Sequence, residues 1–249
     1  MRVEPKTAAE IRLMRTSGRM VAEVLELMRR QTVAGVTTKN LADRAAAEIN
    51  RLGGEPVLLG YEGFPDVICI SVNNEVVHGI PGTRVLKDGD IVGYDLCVGY
   101  HGLICDAAIT VPVGQISVEA KKLLTATEAA LAAGVEAARP GHHIDDISGA
   151  IERRLRADGL GIVEALCGHG VGRAVHEDPE IPNFTCGVSG PELEVGQTLA
   201  LEPMATLGTK RVRLGADGWT FSTADGSLAA QFEHTILITP TGAEVLTRL

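Results

Sequence analysis

Aromatic residues are scarce in this sequence of 249 residues, in which phenylalanine, tryptophan and tyrosine together make up 3%. The core must therefore be built mainly from leucine, valine, isoleucine and alanine. Long apolar runs are missing as well: no stretch of about 18 apolar residues offers a membrane span, and the N-terminal residues lack the apolar segment of a signal peptide. We therefore expect a cytoplasmic protein that does not bind a membrane.

Clustered basic residues and paired cysteine motifs are also missing. The formal net charge is −9, and no stripe of lysine and arginine offers the footprint of a nucleic-acid-binding protein, so we expect no nucleic-acid partner. The 5 cysteines are odd in number and lack Cys-x-x-Cys spacing, which argues against a disulfide framework and against a zinc knuckle. We interpret all of them as small apolar residues of a protein in a reducing compartment.

Helical periodicity appears in two pairs of segments. The stretch Thr7-Ala-Ala-Glu10 has the form of a capping box at the start of the first segment. Gly53-Gly54 and Pro140-Gly141 are typical helix breakers, and each ends a helical segment. The four helices predicted by this pattern run from the capping box to about residue 28, over 38–52, over 117–138 and over 145–157.

The two halves of the sequence align at a single offset of 106 residues. The matched pairs are Gly35 with Gly141, Leu41 with Ile147, Ala45 with Ile151, Ile49 with Leu155, and Gly53 with Gly159. Apolar positions recur by chance in any two helices, but the flanking glycines in register favour a duplication.

Strand-like runs come after each pair of helices, at 67–72, 91–98 and 102–113 in the first half and at 198–205 and 228–239 in the second. Repeated helix-helix-strand halves predict a pseudo-twofold α+β fold, with helices covering one face of a mostly antiparallel sheet. The other face would be free to form a site between the halves. Because no linker-like segment interrupts the chain, we expect residues 1–249 to form a single domain.

Two aspartates lie in apolar strand-like runs on either side of one tight turn. A turn centred between Tyr100 and His101 would place Asp95 directly opposite Asp106, with Cβ atoms about 5 Å apart. Facing carboxylates repel each other unless a cation lies between them. A register shift that exposes one aspartate, a shared proton, and a cation bridged by both carboxylates all stay open on spacing alone.

Two glutamates occur in equally apolar surroundings, Glu202 in "TLALEPMAT" and Glu233 in "AAQFEHTILIT". A charged residue is almost never fully buried without a partner. Either residue alone could face water on an edge strand, but four carboxylates in four apolar contexts make that interpretation weaker.

Histidines at 169 and 176 lie in the glycine-rich stretch "CGHGVGRAVHEDPEIPNF". Arg173 breaks the dinucleotide-binding pattern, and no second histidine occurs at zincin spacing. One imidazole added to four carboxylates forms a mixed nitrogen and oxygen ligand set, which suits Mn, Fe(II), Co or Zn. Two such ions bridged by carboxylates and a water would form a hydrolase centre.

At this point the motifs resemble those of the type I methionine aminopeptidases, which have the pita-bread fold. The resemblance covers nearly the whole chain, and the order and spacing of the motifs are highly specific. The motifs that carry it are "NNEVVHGIPG" (73–82), "GDIVGYDLCVGYHGLICDAAIT" (89–110), "CGHGVGRAVHEDPEIPNF" (167–184), "LEPM" (201–204) and "QFEHT" (231–235).

The resemblance implies removal of the N-terminal methionine from nascent proteins and peptides, with a preference for a small second residue, by two divalent metal ions (Co, Mn, Fe or Zn). Asp106 and Glu233 are expected to bridge the ions, Asp95 to bind one of them, and His169 and Glu202 to bind the other. Glu202 would also act as the acid/base. His78 is expected near the scissile amide and His176 near its carbonyl oxygen, and neither as a ligand.

The methionine pocket implied by the resemblance is lined by Tyr61, Phe64, Cys69 and Trp219. Leu58 stands where a cysteine is frequent in the family, and Val175 where an aromatic residue usually precedes the second histidine. The sequence also has Gly93-Tyr94-Asp95 in place of the usual "NID" and Ile104-Cys105-Asp106 in place of "HGD". Because both aspartates are retained, we expect activity, with Val175 widening the pocket.

The same resemblance implies a monomer that associates transiently with ribosomes and takes the N-terminal peptide of nascent chains. A proline-directed peptidase of the same superfold is the nearest alternative, but such enzymes usually carry a sizeable N-terminal domain. A non-catalytic relative that binds ribosomes is the other alternative, and it would be expected to have lost ligands that this sequence retains.

Overall fold

The structure is a computed structural model that describes residues 4–249. Within these residues the chain forms four α-helices, close to the bounds that the sequence predicts. They are α1 (Ala8–Gln31), α2 (Thr38–Leu52), α3 (Val118–Ala137) and α4 (Ile144–Ala157). None of the helices described is both long and apolar enough to cross a membrane.

The ends of the helices depend on the residues predicted to fix them. Thr7 Oγ1 accepts a hydrogen bond from the Glu10 amide at 3.3 Å, and the Glu10 carboxylate accepts one from the Thr7 amide at 2.7 Å. This reciprocal pair is the capping box at the start of α1. At the other end of the helix pair, Gly53 has a φ of 77° and ends α2 in the left-handed conformation.

The second helix of each pair repeats the same features, as the duplication predicts. Gly35 precedes α2 with a φ of 93°, and Gly141 precedes α4 with a φ of 84°. The residues matched between the helices are all buried, and they are Leu41, Ala45, Ile49, Ile147, Ile151 and Leu155. The fold therefore has the two helix-helix-strand halves expected from the sequence.

Fifteen strands run through residues 4–249, together with a short 3-10 helix at Tyr61–Gly63. The strands of the first half are β1 (Glu55–Pro56), β2 (Cys69–Val72), β3 (Glu75–Val77), β4 (Ile91–Tyr100) and β5 (Leu103–Pro112). Those of the second half are β6 (Gly161–Ile162), β7 (Cys167–Gly170), β8 (Glu177–Pro182), β9 (Thr198–Leu201), β10 (Met204–Thr206), β11 (Val212–Leu214), β12 (Phe221–Thr223), β13 (Ala229–Gln231), β14 (His234–Thr239) and β15 (Gly242–Val245).

Pairing among these strands is antiparallel, as predicted, but it is divided among four sheets. In the first half, β4 lies between β1 and β2 and also pairs with β5. In the second half the largest sheet has the order β15-β14-β9-β7-β8. Two three-stranded sheets, β13-β10-β6 and β11-β12-β3, complete the arrangement. Helix α1 packs on β4 and β5, and α3 packs on strands of the second half.

The predicted register of the β4–β5 hairpin is wrong by two residues. Tyr100 pairs with Leu103, so the turn consists of His101 and Gly102, whose φ angles are 51° and 75°. Two successive positive φ angles are the requirement of a two-residue type I′ turn, which fixes this register. Asp106 is therefore opposite Cys97 and not opposite Asp95. Because the shift is by two residues, both aspartates still point to the same face.

That face is the one turned away from the helices. Tyr94, next to Asp95, shares a hydrogen bond with Thr32 at the end of α1, with the two hydroxyl oxygens 2.6 Å apart. Cys105, next to Asp106, donates its thiol to the Met14 carbonyl of α1 at 3.2 Å. Since neighbours along a strand point to opposite faces, both aspartates point away from α1.

Both predicted strands of the second half that contain a glutamate are interrupted at it. One ends at Leu201 and resumes at Met204, so Glu202 lies in the gap between β9 and β10. Pro203, the next residue, has no amide hydrogen to donate to a ladder. The other ends at Gln231 and resumes at His234, which leaves Glu233 in the gap between β13 and β14.

Candidate metal centre and substrate cavity

The site residues named from the sequence all line one cavity, of about 110 Å³, formed by residues of both halves. They are Tyr61, Phe64, Cys69, His78, Asp95, Asp106, His169, His176, Glu202, Trp219 and Glu233. Leu58, Glu62, Cys97 and Val175 complete the lining, and of these the sequence singled out Leu58 and Val175.

Three of these residues form a buried group at the base of the cavity. Asp106, His169 and Glu233 each offer a ligand atom, and these atoms lie within 4.8 Å of one another. Glu233 is held beside β5 because its amide donates to the Ala108 carbonyl at 2.8 Å, and the Ala108 amide donates in return at 3.3 Å. The side-chain hydroxyl of Thr235 bonds both the amide and the carbonyl of Asp106, at 2.9 and 2.8 Å.

His169 presents one nitrogen to the carboxylates. Its Nδ1 lies 2.8 Å from the Gly170 carbonyl, which assigns the proton to Nδ1 and leaves the Nε2 lone pair free. Nε2 lies 3.7 Å from Glu202 Oε1 and 4.0 Å from Asp106 Oδ2. Burial lowers the pKa of His169, which keeps the imidazole neutral, as a metal ligand must be.

Gln231 connects the two remaining carboxylates, and the sequence did not single it out. Its Nε2 donates to Glu202 Oε2 at 3.2 Å and lies 3.5 Å from Asp95 Oδ2. The signal that could have indicated Gln231 is its side-chain amide, which lies in an otherwise apolar strand two residues before Glu233. The link brings a carboxylate of the first half and one of the second half to the same donor.

No lysine or arginine is among the residues that line the cavity, so no cationic side chain there compensates the charge of the carboxylates. Burial, with the charge of Asp106 added, raises the pKa of Asp95 well above its usual range. Burial also raises the pKa values of Glu202 and Glu233, and neighbouring carboxylates add to both shifts. Such groups take up protons unless a positive charge is placed between them.

Two carboxylate oxygens in this group give the strongest indication that the site needs a cation. Among the described residues, Asp106 Oδ1 and Glu233 Oε1 are buried and have no hydrogen-bond partner. A buried carboxylate oxygen without a partner is strongly unfavourable. Hard oxygen ligands with one neutral imidazole match the preferences of divalent Mn, Fe, Co and Zn. The residues present therefore fit divalent metal ions.

Two cysteines differ from the interpretation of all five as small apolar residues. Cys186 is exposed. Cys97 is buried, but its thiol donates to Asp106 Oδ2 at 2.9 Å, because the register of the hairpin places the two residues opposite each other. All five thiols are free, as expected.

Two histidines stand at the open side of the cavity. His176 is exposed, and its Nδ1 lies 3.0 Å from the Tyr61 hydroxyl oxygen. Its ring centroid is 4.4 Å from that of His169, so the two imidazoles of the glycine-rich stretch are in contact. His78 has a φ of 58°, a conformation uncommon outside glycine. Burial lowers its pKa.

The remaining wall is apolar. Leu58, Phe64, Cys69, Cys97 and Val175 form one buried cluster, separate from the main core. Tyr61 and Trp219 pack against this cluster. Trp219 also meets the edge of Phe64, with ring centroids 5.2 Å apart. An apolar wall beside a polar base is the usual arrangement of a small-molecule or peptide site.

Comparison with known proteins gives one consistent result. Residues 12–240 match the model of metallopeptidase family M24. The chain is 47% identical over 243 residues to a methionine aminopeptidase of Clostridium perfringens, covering 97% of each chain. It is 46% identical over 247 residues to methionine aminopeptidase 1 of Bacillus subtilis, covering 98% of each chain. The crystal structure of a methionine aminopeptidase from Thermotoga maritima superposes with a TM-score of 0.98 at 40% identity, covering 100% of both chains.

Proposed function

We propose that this chain, which belongs to metallopeptidase family M24, removes the N-terminal methionine from proteins and peptides. The observation that carries the proposal is the convergence of four carboxylates and one imidazole from both halves on the base of one cavity. Relatives that are similar over almost their whole length bear the name methionine aminopeptidase. A preference for a small second residue is part of the proposal.

Five residues would hold two divalent ions of Co, Mn, Fe or Zn: Asp95, Asp106, His169, Glu202 and Glu233. Asp106 and Glu233 each have a buried oxygen without a hydrogen-bond partner, and both would bind the ions through it. Such ions lower the pKa of a bound water and polarise a carbonyl group. Their positive charge would also offset the burial and the repulsion between carboxylates that raise the pKa values of Asp95, Glu202 and Glu233.

Glu202 is assigned the transfer of the proton. It lies in the gap between β9 and β10, where its carboxylate is not engaged in an ion pair with lysine or arginine among the described residues. Its Oε2 is held by Gln231, so the group has a fixed position from which to accept a proton from the attacking water. The same carboxylate then returns the proton to the leaving amine.

The two histidines at the open side are assigned to the substrate amide. His176 would donate a hydrogen bond to the carbonyl oxygen as negative charge develops there. Its orientation is supported by the Tyr61 hydroxyl at 3.0 Å from Nδ1, which leaves Nε2 for the substrate. His78, held by its unusual backbone conformation, would contact the scissile amide.

The apolar wall is assigned to the methionine side chain. Tyr61, Phe64, Cys69 and Trp219 provide the surface, and a thioether sulfur is favourable near aromatic ring edges. Val175 and Leu58 belong to the same wall and would shape the pocket. We further propose that residues 1–249 act as one catalytic domain, in a cytoplasmic monomer that associates transiently with ribosomes.

A peptide assay of the metal-loaded protein tests the function. Met-Ala-Ser and an Xaa-Pro peptide are offered separately, and the released amino acid is identified. Release of free methionine from Met-Ala-Ser supports the proposal, whereas cleavage that requires proline supports a proline-directed peptidase. No cleavage together with tight binding to ribosomes supports a non-catalytic relative.

Two matched variants show which residues are responsible. Glu202→Gln keeps the shape of the side chain and removes the proton acceptor, so methionine release should fall steeply. Glu164→Gln changes a carboxylate that pairs with Lys210 at the surface, and its activity should match that of the parent protein. A Glu202→Gln protein with full activity would overturn the assignment of the proton transfer.

A further inference from the structure

A buried lysine near the N-terminus contacts the loop that carries His176. The His176 loop is defined here as residues 171–177, which run from the end of β7 to the first residue of β8. The N-terminal segment is defined as residues 4–10, which include the first turn of α1. The side chain of Lys6 is 0% exposed, and its Nζ lies 2.7 Å from Glu177 Oε2. Glu177 directly follows His176 in the sequence.

The other oxygen of Glu177 holds the backbone of the same loop. Glu177 Oε1 accepts hydrogen bonds from the amides of Arg173 and Ala174, at 2.5 and 3.1 Å. One carboxylate therefore fixes the turn that precedes His176 and receives the charge of Lys6. Since ionised donors and acceptors form the stronger hydrogen bonds, the Lys6–Glu177 contact is a strong tether of the loop.

Lys6 is itself fixed in place by its main chain and by the space around it. Its amide donates to the Gly196 carbonyl at 2.8 Å. Gly172 has a φ of 147°, and a Cβ atom at that position would collide with Lys6 Cε. The Gly172 carbonyl accepts from the Ile104 amide of β5 at 2.7 Å. The loop is thus held between Lys6 on one side and the strand that carries Asp106 on the other.

A second pair joins the same two segments at the surface. Arg173 donates to both carboxylate oxygens of Glu10, at 2.6 and 3.0 Å. Glu10 is also the capping-box residue of α1. The N-terminal segment and the His176 loop therefore share a part-buried pair and an exposed pair.

We propose that Lys6 and Glu177 are positioning residues that act through His176, setting where its imidazole meets the substrate carbonyl. An ion pair in which one partner is fully buried is not needed for stability alone, because an apolar pair of similar volume is often as stable. The ion pair has a fixed geometry, and such a geometry would allow the loop to hold the His176 imidazole in one position. The inference rests on the proposed function, in which His176 contacts the substrate.

A Lys6→Met protein tests the inference. The variant keeps the length of the side chain and removes its charge. We expect kcat for Met-Ala-Ser to fall by about 10- to 100-fold, the usual effect of a misplacement on the order of 1 Å. Affinity for Mn²⁺, measured by titration calorimetry, should stay unchanged, because Lys6 does not contact the metal ligands. A kcat equal to that of the parent would overturn the proposal.

A double-mutant cycle with His176→Ala separates positioning from a general loss of structure. If Lys6 acts through His176, then Lys6→Met should change kcat by less than about 3-fold in the His176→Ala background, because coupled residues are not additive. An equal loss in both backgrounds would overturn the inference and leave the proposed function intact. A His176→Ala protein with full activity would instead overturn the role of His176, and the inference with it.

Two further variants keep the test decisive. Glu177→Gln retains an oxygen for the loop amides while removing the charge, and it should give the same coupling with His176 if Lys6→Met does not fold. Arg15→Met removes a cation of α1 that pairs with Glu244 at 2.7 Å and, among the described residues, forms no ion pair with the His176 loop. Its kcat should equal that of the parent, and a loss as large as that of Lys6→Met would contradict the positioning role.

Discussion

The two halves of the molecule share a helical frame but deliver their site residues in different ways. In the N-terminal half, Asp95 and Asp106 lie inside the ladder of β4 and β5, two strands of 10 residues each. In the C-terminal half, Glu202 and Glu233 lie in gaps between strands. His169 lies where the register between β7 and β8 is irregular.

The duplication preserves the packing of the helices, whereas the placement of the site residues differs between the halves. The matched glycines set the backbone at the ends of α2 and α4, the matched apolar residues set the packing of these helices, and both are alike in the two halves. The ligands of the first half are fixed by regular backbone pairing. Those of the second half depend on individual tethers, such as the Ala108–Glu233 main-chain pair and the Gln231 amide.

The largest effect is expected at a C-terminal gap residue. Glu202→Gln should lower kcat by about 10²- to 10⁴-fold, because the acid/base is lost. The carboxylates of the first half are unchanged, so metal analysis of the variant should still find bound ions. A variant that loses all metal would mean that Glu202 holds the ions more than it moves protons.

Substitution of Asp106, which lies in the β4–β5 ladder, should change the stability of the protein in opposite directions with and without metal. With Mn²⁺ at 100 times its Kd, the parent should gain about 2.7 kcal/mol in the free energy of unfolding, and Asp106→Asn should gain much less. Without metal, Asp106→Asn should be the more stable protein, because one of the repelling carboxylates is gone. Thermal melts of both proteins, with Mn²⁺ and with chelator, measure the two differences; a metal-free variant less stable than the parent would contradict the account.

The thiol beside Asp106 gives a smaller effect. Cys97→Ala removes the donor at 2.9 Å from Asp106 Oδ2 and should weaken metal affinity by about 10-fold, the lower limit for a group that supports a ligand. Cys97→Ser, which keeps a donor, is the control and should retain most of the affinity. Titration calorimetry with Mn²⁺ compares them, and equal affinities for all three proteins would show that the thiol does not support Asp106.

The smallest effect is expected at the matched glycines before α2 and α4, and it tests whether the two halves are equivalent. Gly35→Ala and Gly141→Ala should each destabilise the protein by about 1–2 kcal/mol, because alanine must adopt a left-handed conformation. No atom lies within 4 Å of a Cβ at either position, so conformation alone should set the loss. Urea unfolding measures both values; losses that differ by more than about 1 kcal/mol would argue that the halves are not equivalent there.

The features that sequence predicts well here are local. The capping box at Thr7 and Glu10 and the helix end at Gly53 each depend on residues within one turn, and the structure has both. The interruption at Glu202 has a local signal in Pro203, although the apolar run 198–205 as a whole predicts a continuous strand. The register of the β4–β5 hairpin was missed because it depends on which pair of turn residues adopts positive φ.

The features that sequence could not supply join distant segments. Carboxylates at 95, 106, 202 and 233 suggest a cation, but spacing alone does not bring the two halves together; the family resemblance did so. The Lys6–Glu177 pair spans 171 residues, and neither residue belongs to a motif that indicates the other. The Cys97–Asp106 contact required the correct hairpin register.

Anomalous diffraction from a crystal soaked with Mn²⁺ tests the central claim most directly. The account predicts two anomalous peaks about 3.5–4 Å apart at the base of the cavity. Asp106 and Glu233 should contact both peaks, Asp95 one, and His169 and Glu202 the other. A soaked protein that releases methionine but shows no peak among these five residues would contradict the account.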